Sequence, residues 1–168
     1  ALERIHACSP ARVPLRTNCR NSLVILEAIK TRLGVDMGVR GTGHGPPVRE
    51  ATATSREEAA KILTTELDEL LRSGLAYSNI TLLSPCCLEQ SCASLLPGRL
   101  RSVIRAMDHY SIRTFPPQNA IGFARIQDFK GLENDAIIVV DLPSTSSANH
   151  IPLAYVGMSR ARSVLSLI

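Results

Sequence analysis

The stretch that decides the fold is Ile126–Leu142, which reads IQDFKGLENDAIIVVDL. Its second half holds an unbroken apolar run, Ala136–Val140, and the run ends on Asp141. A short apolar run without polar alternation is typical of a strand that is covered on both faces, as in a parallel sheet between helices. A charged turn with one glycine, Lys130–Glu133, stands directly before this strand. The stretch therefore predicts a buried strand and, directly before it, a loop that can contact a ligand.

Similar apolar runs predict the other strands of the sheet, and helical patterns separate them. The predicted strands are Asn79–Ser84, Ala120–Arg125, Asp135–Leu142 and Ser163–Ile168. Helices that alternate with such strands indicate βαβ units. We therefore predict an α/β fold with a mainly parallel sheet that is flanked by helices on both faces. The whole chain, 1–168, is expected to form one domain cut from a longer protein, with 1–14 as a loop or linker.

Two helices carry clear end signals. The first lies in the stretch NSLVILEAIKTRLG (21–34), where Leu23, Leu26, Ile29 and Leu33 have helical spacing and Gly34 marks the stop. The second opens on a capping box of Ser55 and Glu58 and closes on Gly74. Weaker helical patterns cover Leu88–Leu96, Leu100–Tyr110 and a last helix in which Ala154, Met158 and Ala161 share one stripe.

The composition favours a soluble domain inside the cell, and we expect a cytoplasmic location. Apolar residues make up 45% of the chain, but no run approaches the roughly 20 residues of a membrane helix, and the first residues lack a signal-peptide core. Five cysteines is an odd number, which argues against a disulfide scaffold. The net charge of +4 is compatible with phosphate partners. Only six aromatic residues are present (three Tyr, three Phe and no Trp), so few side chains are available on which nucleic-acid bases could stack.

Several polar residues are candidates for binding phosphate or sugar. Glu133 can accept hydrogen bonds from a ribose, and Lys130 can serve a phosphate, although an exposed loop without function is the alternative. Arg20 follows a probable helix cap, Asn18, so a helix N-terminus would add to its attraction for phosphate. Arg160 and Arg162 lie at the carboxyl side of the last helix, ahead of a buried strand, where an arginine suits a bidentate phosphate contact. Each arginine taken alone is more often a surface residue.

Two other chemistries are poorly supported. Asp141 resembles the magnesium ligand of a Walker B strand, but the chain has no G-x-x-x-x-G-K-[ST] loop, so a strand-end or capping role is favoured. The glycine-rich segment 41–45 lacks the lysine and is expected to be a surface turn. Cys86, Cys87 and Cys92 do not follow zinc-ligand spacing, so we expect inert thiols and no metal site.

Four segments together resemble one family. LRTNCRNS (Leu15–Ser22), IQDFKGLENDAIIVVD (Ile126–Asp141) and LAYVGMSRA (Leu153–Ala161) resemble, in order, motifs IV, V and VI of the UvrD/Rep-like branch of superfamily 1 DNA helicases. NITLLSP (Asn79–Pro85) is similar to the strand that follows motif IV. The resemblance covers essentially the whole chain and corresponds to the second, C-terminal RecA-like domain (2A) of the motor.

The resemblance implies roles for single residues. Arg20 and Arg160 would be arginine fingers on the γ-phosphate of ATP, and Gly131 and Glu133, with Lys130, would approach its sugar or phosphates. These residues are then expected to converge on one face, at the carboxyl ends of the parallel strands. ATP and Mg²⁺ would be bound mainly by the first RecA-like domain of the same protein, which is the expected partner.

Three departures from the family pattern are visible. Cys19 stands where the family usually has an aromatic residue that stacks on adenine. Arg125 and Gln127 replace the usual Thr and His ahead of the motif V turn, and they are our candidates for contact with DNA. The spacing before motif V leaves no room for the inserted 2B subdomain.

The resemblance implies an ATP-dependent DNA helicase or translocase, with single-stranded or duplex DNA as substrate, a role such as DNA repair and no membrane partner. The isolated chain is expected to be monomeric. The alternative is a nucleic-acid-binding or regulatory module that keeps the fold without ATP chemistry.

Because the P-loop and acidic magnesium motif are absent from the sequence, we predict that the purified 168-residue chain has no ATPase activity above background. DNA binding should be weak and should fall with added salt, since a small net charge supplies few phosphate contacts. A coupled phosphate-release assay and a fluorescence titration at two salt concentrations measure both. Robust turnover, with contaminants excluded, would show that the chain is not half of an active site.

Overall fold

Six parallel strands form one sheet in the part of the chain that the computed structural model describes, residues 18–37, 41–108, 111–143 and 151–168. From edge to edge the order is β1-β6-β5-β2-β4-β3, and all neighbouring strands run parallel. The strands are β1 Arg49–Glu50, β2 Ile80–Ser84, β3 Ile104–Ala106, β4 Ile121–Arg125, β5 Asn134–Val139 and β6 Ala161–Leu167. The predicted parallel sheet is confirmed.

Helices pack on both faces of this sheet, as predicted. The described residues form α1 Leu23–Leu33, α2 Arg56–Arg72, α3 Gly98–Arg101 and α4 Ile151–Met158, with short 3₁₀ turns at Tyr77–Asn79, Cys92–Leu95 and Ser111–Thr114. Helices α2 and α3 share one apolar core with the sheet. Helices α1 and α4 share the other core, and they also contact each other.

Strand β5 and the residue after it explain why the decisive apolar run is continuous. Ala136, Ile138 and Val140 belong to the core under α2, whereas Ile137 and Val139 belong to the core under α1 and α4. All five residues are fully buried. Since successive side chains of a strand point to opposite faces, a strand between two helix layers needs an apolar residue at every position.

The helix ends follow their sequence signals, with one correction. Gly34 ends α1 in the left-handed conformation (φ 69°), and the side chain of Ser55 accepts a hydrogen bond from the backbone N–H of Glu58 at 3.1 Å. Helix α4 ends at Met158, so the predicted stripe is wrong at Ala161, which is the first residue of β6.

The weaker helical patterns were wrong. Leu88–Leu96 forms only the 3₁₀ turn Cys92–Leu95. In the range Leu100–Tyr110, the helix stops at Arg101 and β3 begins at Ile104, which pairs with β4 and is buried there. Pairing and burial within the sheet outweigh helical spacing, because propensity is a weak local preference. The two short edge strands, β1 and β3, had no alternating pattern long enough to predict them.

The predicted loop or linker at 1–14 and the last two residues of the predicted helix, 109–110, lie outside the described residues. Within the described residues, no helix combines the length and the apolar character that crossing a membrane requires.

The glycine-rich segment 41–45 lies mostly at the surface, as predicted, but it also caps a helix. The carbonyl groups of Gly43 and His44 accept hydrogen bonds from the N–H groups of Leu23 (2.8 Å) and Val24 (3.3 Å). These are among the first donors of α1, which have no partner inside the helix. The segment therefore closes the N-terminus of α1.

This packing predicts that Gly41→Ala destabilises the protein, because its Cβ would lie 2.7 Å from the backbone of Asn21 and of Leu23. We expect a loss of about 1–3 kcal/mol in the free energy of unfolding, measured by urea titration. Gly98→Ala is the matched control, since a Cβ there meets nothing within 4 Å. Equal stability of the two variants would contradict the close contact between segment 41–45 and α1.

Candidate functional site

The residues assigned to motifs IV, V and VI meet at the amino edge of the sheet. Glu133 directly precedes β5, and Arg160 directly precedes β6; the first residues of these two strands, Asn134 and Ala161, are paired in register. Arg20 reaches the same place and forms an ion pair with Glu133. The predicted convergence is present. The predicted location at the carboxyl ends of the strands was wrong.

The crossover between β4 and β5 explains this correction. Both strands are parallel to β2, which lies between them, so residues 126–133 must run from the carboxyl edge of the sheet back to its amino edge. The segment contains turns and no helix, and buried Ile126 and Phe129 anchor it to the core under α1 and α4. Its two ends therefore lie at opposite edges of the sheet.

The candidates for DNA contact are consequently separated from the arginines. Arg125 is the last residue of β4, and the N–H of Ile126 bonds to the carbonyl of Ser84 at the end of β2, so Arg125 and Gln127 lie at the carboxyl edge. Both side chains are exposed, and Arg125 pairs with Asp128 at 2.7 Å. A strand of the length of β5 separates the edges by roughly 20 Å.

Arg20 is positioned by an asparagine turn and not by a helix. The side-chain oxygen of Asn18 accepts hydrogen bonds from the N–H groups of Arg20 (2.8 Å) and Asn21 (2.9 Å). Helix α1 begins only at Leu23, and segment 41–45 already occupies its first N–H groups. The prediction that Arg20 lies in the first helical turn beside free N–H donors was therefore wrong.

Glu133 is the carboxylate at the centre of the cluster. It pairs with Arg20, and its other oxygen lies 3.9 Å from the Nε of Arg162. Arg162 also lies 3.5 Å from Asp135, which accepts a hydrogen bond from Asn79 at 2.9 Å. The side chains of Arg20 and Glu133 are 40% and 38% exposed, so solvent and a ligand can reach this pair.

Arg160 is the cation of this cluster without a carboxylate partner. Its guanidinium donates to the carbonyl of Val156 (3.1 Å) and to the hydroxyl of Ser159 (3.2 Å), and no carboxylate of the described residues pairs with it. Burial, and then the positive charge of Arg20, lower the pKa of Arg160; Tyr155 and Glu133 offset this lowering only in part. The guanidinium remains protonated at neutral pH, so the folded chain holds a half-buried, uncompensated positive charge here.

The remaining candidates of the motif V turn lie close by in sequence but do not join the ion pairs. Lys130 and Gly131 are exposed, and Gly131 has φ 90°, a conformation that glycine adopts without strain. Neither forms an ion pair or side-chain hydrogen bond with the arginines. The turn leaves Lys130 free to contact a ligand from solvent.

Asp141, at the opposite edge, has the capping role that the sequence favoured. Its carboxylate accepts hydrogen bonds from the hydroxyls of Ser84 (2.8 Å) and Ser91 (2.5 Å) and from the N–H of Cys92 (3.0 Å), the first residue of a 3₁₀ turn. Within the described residues, no group of three or more His, Cys, Asp or Glu side chains is placed to hold a metal. Burial, followed by the charge of Asp141, raises the pKa of the Cys92 thiol to about 12.

Two functional features were missed from the sequence. Asp135 extends the ion-pair network through Arg162, although it lies only two residues after the predicted Glu133. Asn21, beside Arg20, is fully buried and reaches across to the backbone around Arg160. The sequence carried no signal for this role of Asn21, because its burial and its partners are set by the fold.

The fold is shared with a protein of known structure. The chain is similar to a crystal structure described as the C-terminal domain of a possible DNA helicase from Lactobacillus plantarum WCFS1, with a TM-score of 0.58, 18% identity, and coverage of 88% of this chain and 85% of that one. The likeness shows a RecA-like α/β fold. The PRRSV helicase aligns with a TM-score of only 0.42 and 17% identity over 92% of this chain and 23% of its own, too low to bear on the fold. No protein-family model and no curated protein matches the chain.

The environment of Cys92 predicts its reactivity. At pH 8, iodoacetamide should leave Cys92 unmodified in the native protein, because the thiol is fully buried and its pKa of about 12 leaves almost no thiolate. Cys19 is exposed and should react first. Peptide mass spectrometry before and after urea unfolding measures both. Rapid labelling of native Cys92 would contradict the closed packing around Asp141.

Proposed function

We propose that the chain is the second motor domain of an ATP-dependent DNA helicase or translocase of the UvrD/Rep-like branch of superfamily 1. One observation carries the proposal. Three separate motif segments meet at one edge of the sheet, where they bring together Arg20, Glu133 and Arg160. Arg160 has no carboxylate partner there. The likeness in fold to a domain described as part of a possible DNA helicase supports it.

The charges of the cluster fit the triphosphate of a nucleotide. A half-buried cation without a counter-ion is electrostatically unfavourable, and an anion bound beside Arg160 relieves this cost. Arg160 is fixed through Val156 and Ser159, so its guanidinium is held in one orientation before the ligand arrives. Preorganised donors of this kind stabilise the charge that develops on a transferring phosphoryl group.

Arg20 and Glu133 each change their binding partner in this mechanism. In the structure they neutralise each other. When a nucleotide binds, Arg20 turns from Glu133 to the γ-phosphate, and Glu133 becomes available to accept hydrogen bonds from the ribose hydroxyls. Arg162, 3.9 Å from Glu133, keeps that carboxylate paired during the exchange. Both partners are exposed enough for this rearrangement.

The other half of the active site lies in a partner domain. The sequence contains no P-loop, so under this proposal the first RecA-like domain of the parent protein would hold ATP and Mg²⁺, and the metal would supply charge neutralisation for the phosphates. This chain contributes arginines across the interface. Closure of the two domains then brings the fingers to the nucleotide and opening withdraws them.

Nucleic acid is assigned to the opposite edge of the sheet. Arg125 and Gln127 are exposed at the carboxyl edge, beyond the ends of β4 and β2, where ligands of parallel sheets commonly bind. The crossover 126–133 joins these residues directly to Glu133. A change in this one segment can therefore couple the binding and hydrolysis of the nucleotide to the affinity for a DNA strand.

The proposal predicts that Arg160→Ala in the parent protein lowers kcat for ATP hydrolysis by about 10³-fold or more, because the lost charge acts in the transition state. Arg160→Lys should restore little, since an ammonium group lacks the planar donor pair. Arg99→Ala is the matched control: Arg99 is an exposed arginine, paired with Asp68, on a different part of the surface.

Steady-state ATPase kinetics with a saturating DNA cofactor, alongside urea unfolding of each variant, measure these effects. An Arg160→Ala protein that folds normally and retains its kcat would show that this chain supplies no arginine finger, contrary to the proposal, and would favour a nucleic-acid-binding or regulatory module beside an ATPase that does not need it.

A further inference from the structure

Asn21 is the buried polar residue that connects the two candidate fingers. Its side chain has no accessible surface, although its neighbour Arg20 is half exposed. Its amide nitrogen donates to the carbonyls of Ser159 (3.2 Å) and Ala161 (2.6 Å), the residues on either side of Arg160. A single side chain therefore holds the backbone at both ends of the arginine.

The N–H groups of the turn around Arg160 bond to helix α4, from Ser159 to Tyr155 (3.0 Å) and from Arg160 to Gly157 (3.2 Å), whereas its carbonyl groups bond to the segments that carry Arg20 and Glu133. The carbonyl of Arg160 accepts a hydrogen bond from the N–H of Asn134 at 3.2 Å, and the carbonyl of Arg162 accepts one from the N–H of Ser22 at 3.1 Å. Together with the two bonds from Asn21, the carbonyls of residues 159–162 are all occupied. The segments that carry Arg20 and Glu133 therefore fix the carbonyl side of the backbone from which the Arg160 side chain extends.

The acceptor side of Asn21 leads back to Arg20. Its side-chain oxygen accepts a hydrogen bond from the amide of Asn18 at 3.0 Å, and the oxygen of Asn18 accepts from the N–H of Arg20 at 2.8 Å. Only an amide offers two N–H donors and one acceptor on a planar group of this size. Serine has one donor, and aspartate would direct a charge at two carbonyl oxygens.

We propose that Asn21 is a positioning residue that fixes the spacing and orientation of Arg160 relative to Arg20 on a bound triphosphate. The inference rests on the proposed function. Two guanidinium groups that act on one phosphoryl group must be placed to within a fraction of an ångström, and a misplacement of about 1 Å can cost on the order of 100-fold in rate. Asn21 touches no reacting atom and acts only through the backbone of residues 159–161.

Kinetics of the full-length parent protein test this role. Asn21→Ala should lower kcat for ATP hydrolysis about 10–100-fold with less than about a threefold change in KM, because misaligned fingers weaken the transition state more than the ground state. Asn21→Ser, which keeps one donor and packs with less loss, should give a smaller decrease. Ser166→Ala is the matched control, since it removes a buried hydrogen bond (2.6 Å to Glu66) in the same sheet away from the arginines.

A double-mutant cycle separates positioning from general loss of structure. In an Arg160→Ala background, Asn21→Ala should cause no more than about a twofold further decrease in kcat, because the group it positions is gone. The matched Ser166→Ala change should have the same small effect in both backgrounds. Additive losses for Asn21→Ala and Arg160→Ala would overturn the inference.

A readout without catalysis uses the 168-residue chain. The Nε–H of Arg160 donates to Val156, so its NMR signal should exchange slowly with water in the wild type and faster in Asn21→Ala, with no change in Ser166→Ala. Unchanged exchange would overturn the inference. So would failure of both Asn21 variants to fold while Ser166→Ala folds, because Asn21 would then serve the fold and not the fingers.

These results keep the two proposals apart. If Arg160→Ala is inactive while Asn21→Ala has the wild-type kcat, the positioning role is wrong and the proposed function stands. If Arg160→Ala retains its kcat, Arg160 is not a finger, so the proposed function fails on that point and the role of Asn21 on a triphosphate fails with it.

Discussion

The parallel pairing of β5 with both of its neighbours is the constraint on which the rest of the structure depends. A chain that leaves one parallel strand at the carboxyl edge must return to the amino edge before the next begins. Between β4 and β5 this return is made by residues 126–133 alone, held by the buried side chains of Ile126 and Phe129. The same short segment therefore presents Gln127 at one edge and Glu133 at the other.

The amino edge is also where the electrostatic balance is least favourable. Arg20 and Arg162 share the carboxylate of Glu133, but Arg160 is half buried and has no acidic partner in the described part of the chain. Burial without a counter-ion lowers its pKa and represents free energy that the fold does not recover internally. A bound anion would recover it, and our proposal that the cluster binds a nucleotide phosphate rests on this imbalance.

At this edge, the position of the Arg160 backbone is fixed by hydrogen bonds from amide groups and not by ion pairs. Exposed ion pairs contribute little and rearrange easily, as the pairing of Arg20 with Glu133 requires. Buried hydrogen bonds from Asn21 and Asn134, in contrast, are costly to break and hold the backbone of the Arg160 turn. The site thus combines a rigid backbone with charged side chains that can change partner.

The sequence by itself determined the α/β class, the parallel sheet and the ends of α1 and α2, because periodicity, caps and apolar runs depend on neighbours along the chain. The resemblance to helicase motifs also grouped Arg20, Glu133 and Arg160. Only the tertiary structure decided that they lie at the amino edge, that Glu133 neutralises Arg20, and that Asn21 ties the two arginines together. Strand order, burial and Coulomb energy depend on distances between segments up to 140 positions apart, and no local pattern encodes those distances.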